Sequence, residues 1–221
     1  MRHRVESLLV LWLASAAGAS WAADWPELPL PDGVQGQWVS KHMVHNGVPM
    51  RAARFDTPLP PSALVGFYQK KWPGQVNVTD LGTKKIVAHA TGSHFITIEI
   101  TGGAAGSQAQ IGITEALKET PRKSPGEDFL KPAGTRVVTD TVYLDNPGRT
   151  LSMEVPLSAY QADAFYKARL PMRGWRHDGA RPCSLASQVC SATYVKDKEQ
   201  LVLTFNRNGE RTDVVVNQSG R

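Results

Sequence analysis

Met43, His45 and Met50 are two thioethers and an imidazole, a soft donor set of the kind that suits Cu(I). Only a turn can bring them together. Asn46-Gly47 lies between two extended runs, and this pair favours a tight hairpin because both turn positions take positive φ. A two-residue loop sets Met43 opposite Met50, Val44 opposite Pro49 and Trp38 opposite Phe55. Met43, His45 and Met50 then project from one outward face, while Trp38, Val44, Ala53 and Phe55 share the other, the expected core face. His42 is three residues from His45 and points away. The matching stretch later in the chain has Thr141, Tyr143 and Arg149 and no soft donor. The set therefore stands as a candidate that the rest of the chain does not reinforce, and no metal or cofactor is expected.

Other chemistry is sparse. No Gly-x-Ser-x-Gly, Ser-x-x-Lys or unpaired Cys offers a nucleophile, and Gly102-Gly103-Ala104-Ala105-Gly106 lacks the Lys and helix pattern of a phosphate loop. The expectation is a protein that is not an enzyme. Cys183 and Cys190 enclose six residues and are expected to form a structural disulfide, since the redox spacing Cys-x-x-Cys is absent. Arg169, Arg173, Arg176 and Arg181 gather near the end of a predicted helix, with Lys167 and His177 among them and Asp178 in opposition. Cations there complement the helix dipole, and they also form a candidate surface for an anionic partner.

The elements that would position these groups recur in order. Pro31-Asp32-Gly33, Asn46-Gly47, Thr57-Pro58-Leu59, Phe67-Tyr68 and Phe95-Ile96-Thr97-Ile98 are followed about a hundred residues on by Pro132-Ala133-Gly134, Asn146-Pro147-Gly148, Val155-Pro156-Leu157, Phe165-Tyr166 and Leu201-Val202-Leu203-Thr204. Leu64, Val65, Phe67, Tyr68 and Trp72 keep helical spacing after Pro60-Pro61, and Ala162, Phe165, Tyr166, Arg169 and Leu170 do so after Ser158, which with Gln161 reads as a capping box. Pro73 and Pro171 end the two helices. Each Phe-Tyr pair is expected on the core seam, with the Tyr hydroxyl reaching the domain edge. Strands are expected at 75–81, 84–90, 95–101 and 109–114, and again at 200–206 and 212–217; the two cysteines would staple an insertion.

Residues 1–22 have a basic start at Arg2 and Arg4, an apolar stretch from Leu8 to Ala19 and the small-x-small site Ser20-Trp21-Ala22, the pattern of a secretory signal. The expected location is the periplasm, reached by a cleaved signal, with no transmembrane segment after it. Removing Arg2, Arg4 and Glu6 lowers the formal net charge from +5 to +4, and no Lys/Arg block suggests nucleic acid. The organisation expected is a signal peptide at 1–22, a first module at 23–118, a Pro- and charge-rich linker at 119–127 and a second module at 128–221. The fold class expected is α+β, with two repeated modules, each an antiparallel sheet with one packed helix.

The run Phe165-Tyr166-x-x-x-Leu170-x-x-x-Gly174-Trp175, followed by strands, resembles a small module of exported bacterial proteins and lipoproteins. The first copy departs from it, with Trp72 at the Leu position and Pro73-Gly74 where Gly-Trp should follow. The resemblance implies a helix-grip-like arrangement and an expectation of protein binding, without catalytic residues. The function expected is that of an accessory or assembly factor binding envelope proteins. The alternative is a carrier of a small apolar ligand or of copper.

Overall fold

The computed structural model describes residues 25–220 except 118 and 122, so the predicted signal at 1–22 lies outside the described residues. The chain begins as the sequence predicts. Strands β1 (Gln37–His45) and β2 (Val48–Thr57) form a hairpin through Asn46 at φ 50° and Gly47 at φ 81°, and Met43 faces Met50 while Val44 faces Pro49. Farther from the turn the expectation fails. Two register shifts in β1 set Trp38 opposite Ala53 instead of Phe55, and Trp38 is 40% exposed. Each bulge adds one residue to β1, so the two together leave Trp38 on the face of Ala53 but two places along β2 from Phe55.

Helix α1 (Pro61–Lys71) starts on Pro60-Pro61, where missing N–H groups cost little, and no side chain caps it. Strands β3 (Val76–Asp80), β4 (Lys84–Thr91), β5 (His94–Gly103) and β6 (Gly106–Glu115) follow as an antiparallel meander. Strands β7 (Arg136–Tyr143) and β8 (Gly148–Val155) precede helix α2 (Ala159–Arg169). There the capping box forms: the Gln161 N–H donates to Ser158 Oγ at 3.2 Å and the Ser158 N–H to Gln161 Oε1 at 3.0 Å. A 3₁₀ turn (Pro171–Arg173) and left-handed Gly174 lead into β9 (Arg176–Arg181), β10 (Val189–Lys196), β11 (Glu199–Asn208) and β12 (Arg211–Gly220).

The expectation of two modules, each gripping its helix in a sheet of its own, is overturned. All strands join one twelve-stranded antiparallel sheet ordered β3-β4-β5-β6-β2-β1-β7-β8-β12-β11-β10-β9, with two short helices on it. The cause is at the seam. A hairpin strand leaves one row of N–H and C=O groups unpaired, and β1 and β7 satisfy each other's. Met43 faces Tyr143, Val44 faces Val142 and His45 faces Thr141, and the pairing continues with Asn46 N–H to Asp140 O and Leu144 N–H to His42 O, each 2.8 Å. Side-chain contacts reinforce it, as Asn46 Oδ1 accepts from the Asp140 N–H and Asp145 accepts from Ser40 Oγ and the Lys41 N–H.

Register carried across the seam puts both helices on the same face, with a cluster of buried side chains under each. Leu64, Val65 and Tyr68 of α1 pack on Phe55, Val87, Ile96, Ile98, Ile100 and Ile111. Ala162, Tyr166 and the following Leu170 pack on Leu151, Met153, Tyr194, Leu203, Phe205 and Val214. Trp25, Leu28, Leu30 and Val34 cover the first cluster further, as Phe129 and Leu130 cover the second. No described helix is long and apolar enough to cross a membrane.

Candidate functional site

The hairpin brings Met43, His45 and Met50 to one face, as the turn predicts, but that face is closed at Met43. β7 lays Tyr143 beside it, and Met43 is only 7% exposed. The His45 ring is engaged on both sides, with Nδ1 2.8 Å from Thr141 Oγ1 and Nε2 3.5 Å from Asn46 Nδ2. What the sequence presents as an open donor set is here part of the join between the two hairpins.

Two arginines lie under the cover of the helix-bearing face. Arg149 donates through Nε and Nη2 to Asp140 at 2.8 and 2.7 Å and through Nη2 to Asp128 at 2.8 Å, with the Phe129 ring 6.0 Å away. Burial pushes the Asp140 carboxyl up, but Arg149 and the Gly126 N–H outweigh it and hold it below the usual carboxylate range. Asp128 is lowered as well, chiefly by its hydrogen bond to Arg149. This network ties the segment around Gly126 to β7 and β8. Arg51 instead lies 4.6 Å from the Trp25 ring, with its Nε buried and without a hydrogen-bond partner among the described residues, and the same ring lies 4.8 Å from His94.

The aromatic pairs sit on the core seam. Tyr68 and Tyr166 are fully buried, and their hydroxyls have no hydrogen-bond partner among the described residues, instead of reaching a domain edge. Burial pushes both hydroxyls up; burial first and the Asp163 charge second push the Tyr194 hydroxyl up to about 12. All three remain neutral phenols at neutral pH and offer no phenolate. Among the described residues no group of three or more His, Cys, Asp or Glu side chains is placed to hold a metal ion.

The basic residues are spread along the segment that leads into and forms the far edge of the sheet. Arg169 ends α2 with its guanidinium 5.3 Å from the Phe165 ring, Arg173 closes the 3₁₀ turn, and Arg176 and Arg181 begin and end the edge strand β9; all four are exposed. Arg176 meets Asp178 at 3.1 Å, whereas no described carboxylate is ion-paired with Arg169, Arg173 or Arg181. Lys167 is neutralised by the buried Asp163 at 2.6 Å. Cys183 and Cys190 form the expected disulfide, closing the connection from β9 to β10, and both sulfurs face the second core cluster.

The sequence pattern missed that these arginines frame an open strand edge. Arg-His-Asp-Gly-Ala-Arg has no apolar alternation, because an edge strand beside solvent needs none. The alternation in β10, Val-Cys-Ser-Ala-Thr-Tyr-Val, signals a strand with one buried face but does not say whether another strand lies beyond it. Comparison with known protein families, characterised proteins and solved structures gave no match.

Proposed function

We propose that the chain is an exported, non-enzymatic protein-binding factor of the bacterial envelope, delivered to the periplasm by residues 1–22. The observation that carries this reading is the second sheet edge, an open strand framed by exposed arginines with few carboxylates to answer them. An open edge offers main-chain hydrogen bonds to a partner, and uncompensated charge gives selectivity and a faster encounter. The test is crosslinking in cells with a tagged, exported form. One envelope protein should be recovered reproducibly and lost in Arg173→Glu/Arg176→Glu; recovery unchanged by the charge reversal, or no capture at all, would overturn the reading.

A second reading is favoured by one observation. On the face away from the helices, Val39, Met50, Ala52, Arg54, Thr97, Glu99, Gln110 and Gly112 line an open groove of about 440 Å³, large enough for a small ligand. Native mass spectrometry of the purified protein separates the two readings: a carrier of an apolar molecule or of copper shows added mass, and a protein-binding factor shows the mass of the chain alone.

A further inference from the structure

β9 ends the sheet, and among the described residues no strand lies on its outer side. Its six residues run about 17–20 Å. Register with β10 sets Arg176 opposite Val195 and Arg181 opposite Ser191, on the face away from the helices. His177 faces Tyr194 and Ala180 faces Ala192 on the helix side, and Asp178 is the extra residue of a bulge. Arg169 and Arg173 belong to the helix-bearing side, in the last turn of α2 and in the 3₁₀ turn that leads into β9. An exposed apolar side chain stands before and after the strand: Met172 is 81% exposed and Leu185, in the disulfide loop, 86%.

Charges and a bulge commonly protect an edge strand from pairing with its own kind. Here a second β9 would set arginine against arginine. The same charges favour an acidic strand, whose alternate side chains would meet guanidinium groups on both faces. The opposite edge has no such bias, since the Asp80 of β3 is already paired with Lys85 of β4.

We infer that β9 accepts an extended acidic segment of a partner protein as a thirteenth strand, with carboxylates on Arg176 and Arg181, further acidic groups toward Arg169 and Arg173, and apolar ends on Met172 and Leu185. This rests on the protein-binding reading and names the class of partner. Strand addition makes a demand that charge attraction does not. Only every second N–H of the added segment faces the sheet, so the two halves of its backbone are not equivalent.

The experiment uses the whole exported chain with its disulfide intact and fluorescent peptides of roughly eight residues with Glu through the middle, so that both faces are acidic, and Val or Thr at each end, read by anisotropy. Binding is expected to be saturable, to weaken about tenfold in Arg176→Gln/Arg181→Gln, and to fall between about 50 and about 200 mM salt. N-methylation of one alternate set of residues abolishes binding, and methylation of the other set leaves it. Circular dichroism and thermal unfolding confirm that the glutamine variant is folded. No binding, equal binding of a Lys-for-Glu peptide, or equal binding of both N-methyl series overturns the inference. If the peptides fail while crosslinking still captures an envelope protein sensitive to Arg173→Glu/Arg176→Glu, strand addition falls and the protein-binding reading stands; if both fail, both fall.

Discussion

The two halves of the sheet run through the same strand order from edge to seam, yet they distribute charge in opposite ways. Arg51 and Arg149 stand equally far before Pro58-Leu59 and Pro156-Leu157, each near an aromatic ring of a preceding segment. Arg149 is neutralised by two carboxylates; Arg51 rests on Trp25 with its Nε unpartnered among the described residues. At the edges the pattern reverses. The outer strands of the first half carry the pairs Asp80–Lys85 and Lys84–Glu99, whereas the second half ends in arginines with Asp178 as the ion-paired carboxylate among them. A shared strand order therefore sets where charge can be placed, and the placement itself distinguishes what each half can do.

The largest effect should come from the interior. Arg149→Ala leaves the largely covered Asp140 without its cation and is expected to cost roughly 2–3 kcal/mol in urea unfolding. Arg51→Met removes a cation with no carboxylate partner and should change stability by less than about 1 kcal/mol. Equal losses would erase the comparison. Acid sharpens it: the depressed carboxyls of Asp128 and Asp140 stabilise the fold above the unfolded carboxylate pKa, about 4, and this contribution is lost as pH falls through their lower folded values. The urea midpoint of the wild type should fall between about pH 5 and about pH 2, and the fall should be smaller in Arg149→Met.

Removing the disulfide of the second half, as Cys183→Ser/Cys190→Ser, should cost about 2 kcal/mol, since its loop is short. The helix starts differ by less. Ser158→Ala loses the capping box and about 1 kcal/mol, while Ser62→Ala in the uncapped α1 should be nearly neutral by thermal unfolding.

What the sequence made legible was local. Asn46-Gly47 set the turn and the nearby pairs, Ser158 and Gln161 the start of α2, and the cysteine spacing the disulfide. What it hid was long-range. The seam joins β1 to β7 largely through backbone groups that every residue has, so nothing in the side-chain pattern announced one sheet in place of two. The bulges in β1 moved Trp38 away from Phe55 for a similar reason, since they alter register without altering composition. At the candidate site the arginines were visible as a cluster, but the edge they frame was not, because β9 carries no apolar period.

The central claim is that the second edge, and not the first, meets a partner. A photo-crosslinking amino acid placed at Gly179 of β9, where an added Cβ has open space, and separately at the exposed Asn77 of β3, tests it directly in exporting cells. An adduct to one envelope protein is expected from position 179, absent from position 77 and abolished by Arg173→Glu/Arg176→Glu. Equal labelling from both edges, labelling from 77 alone, or an adduct indifferent to the charge reversal would contradict it.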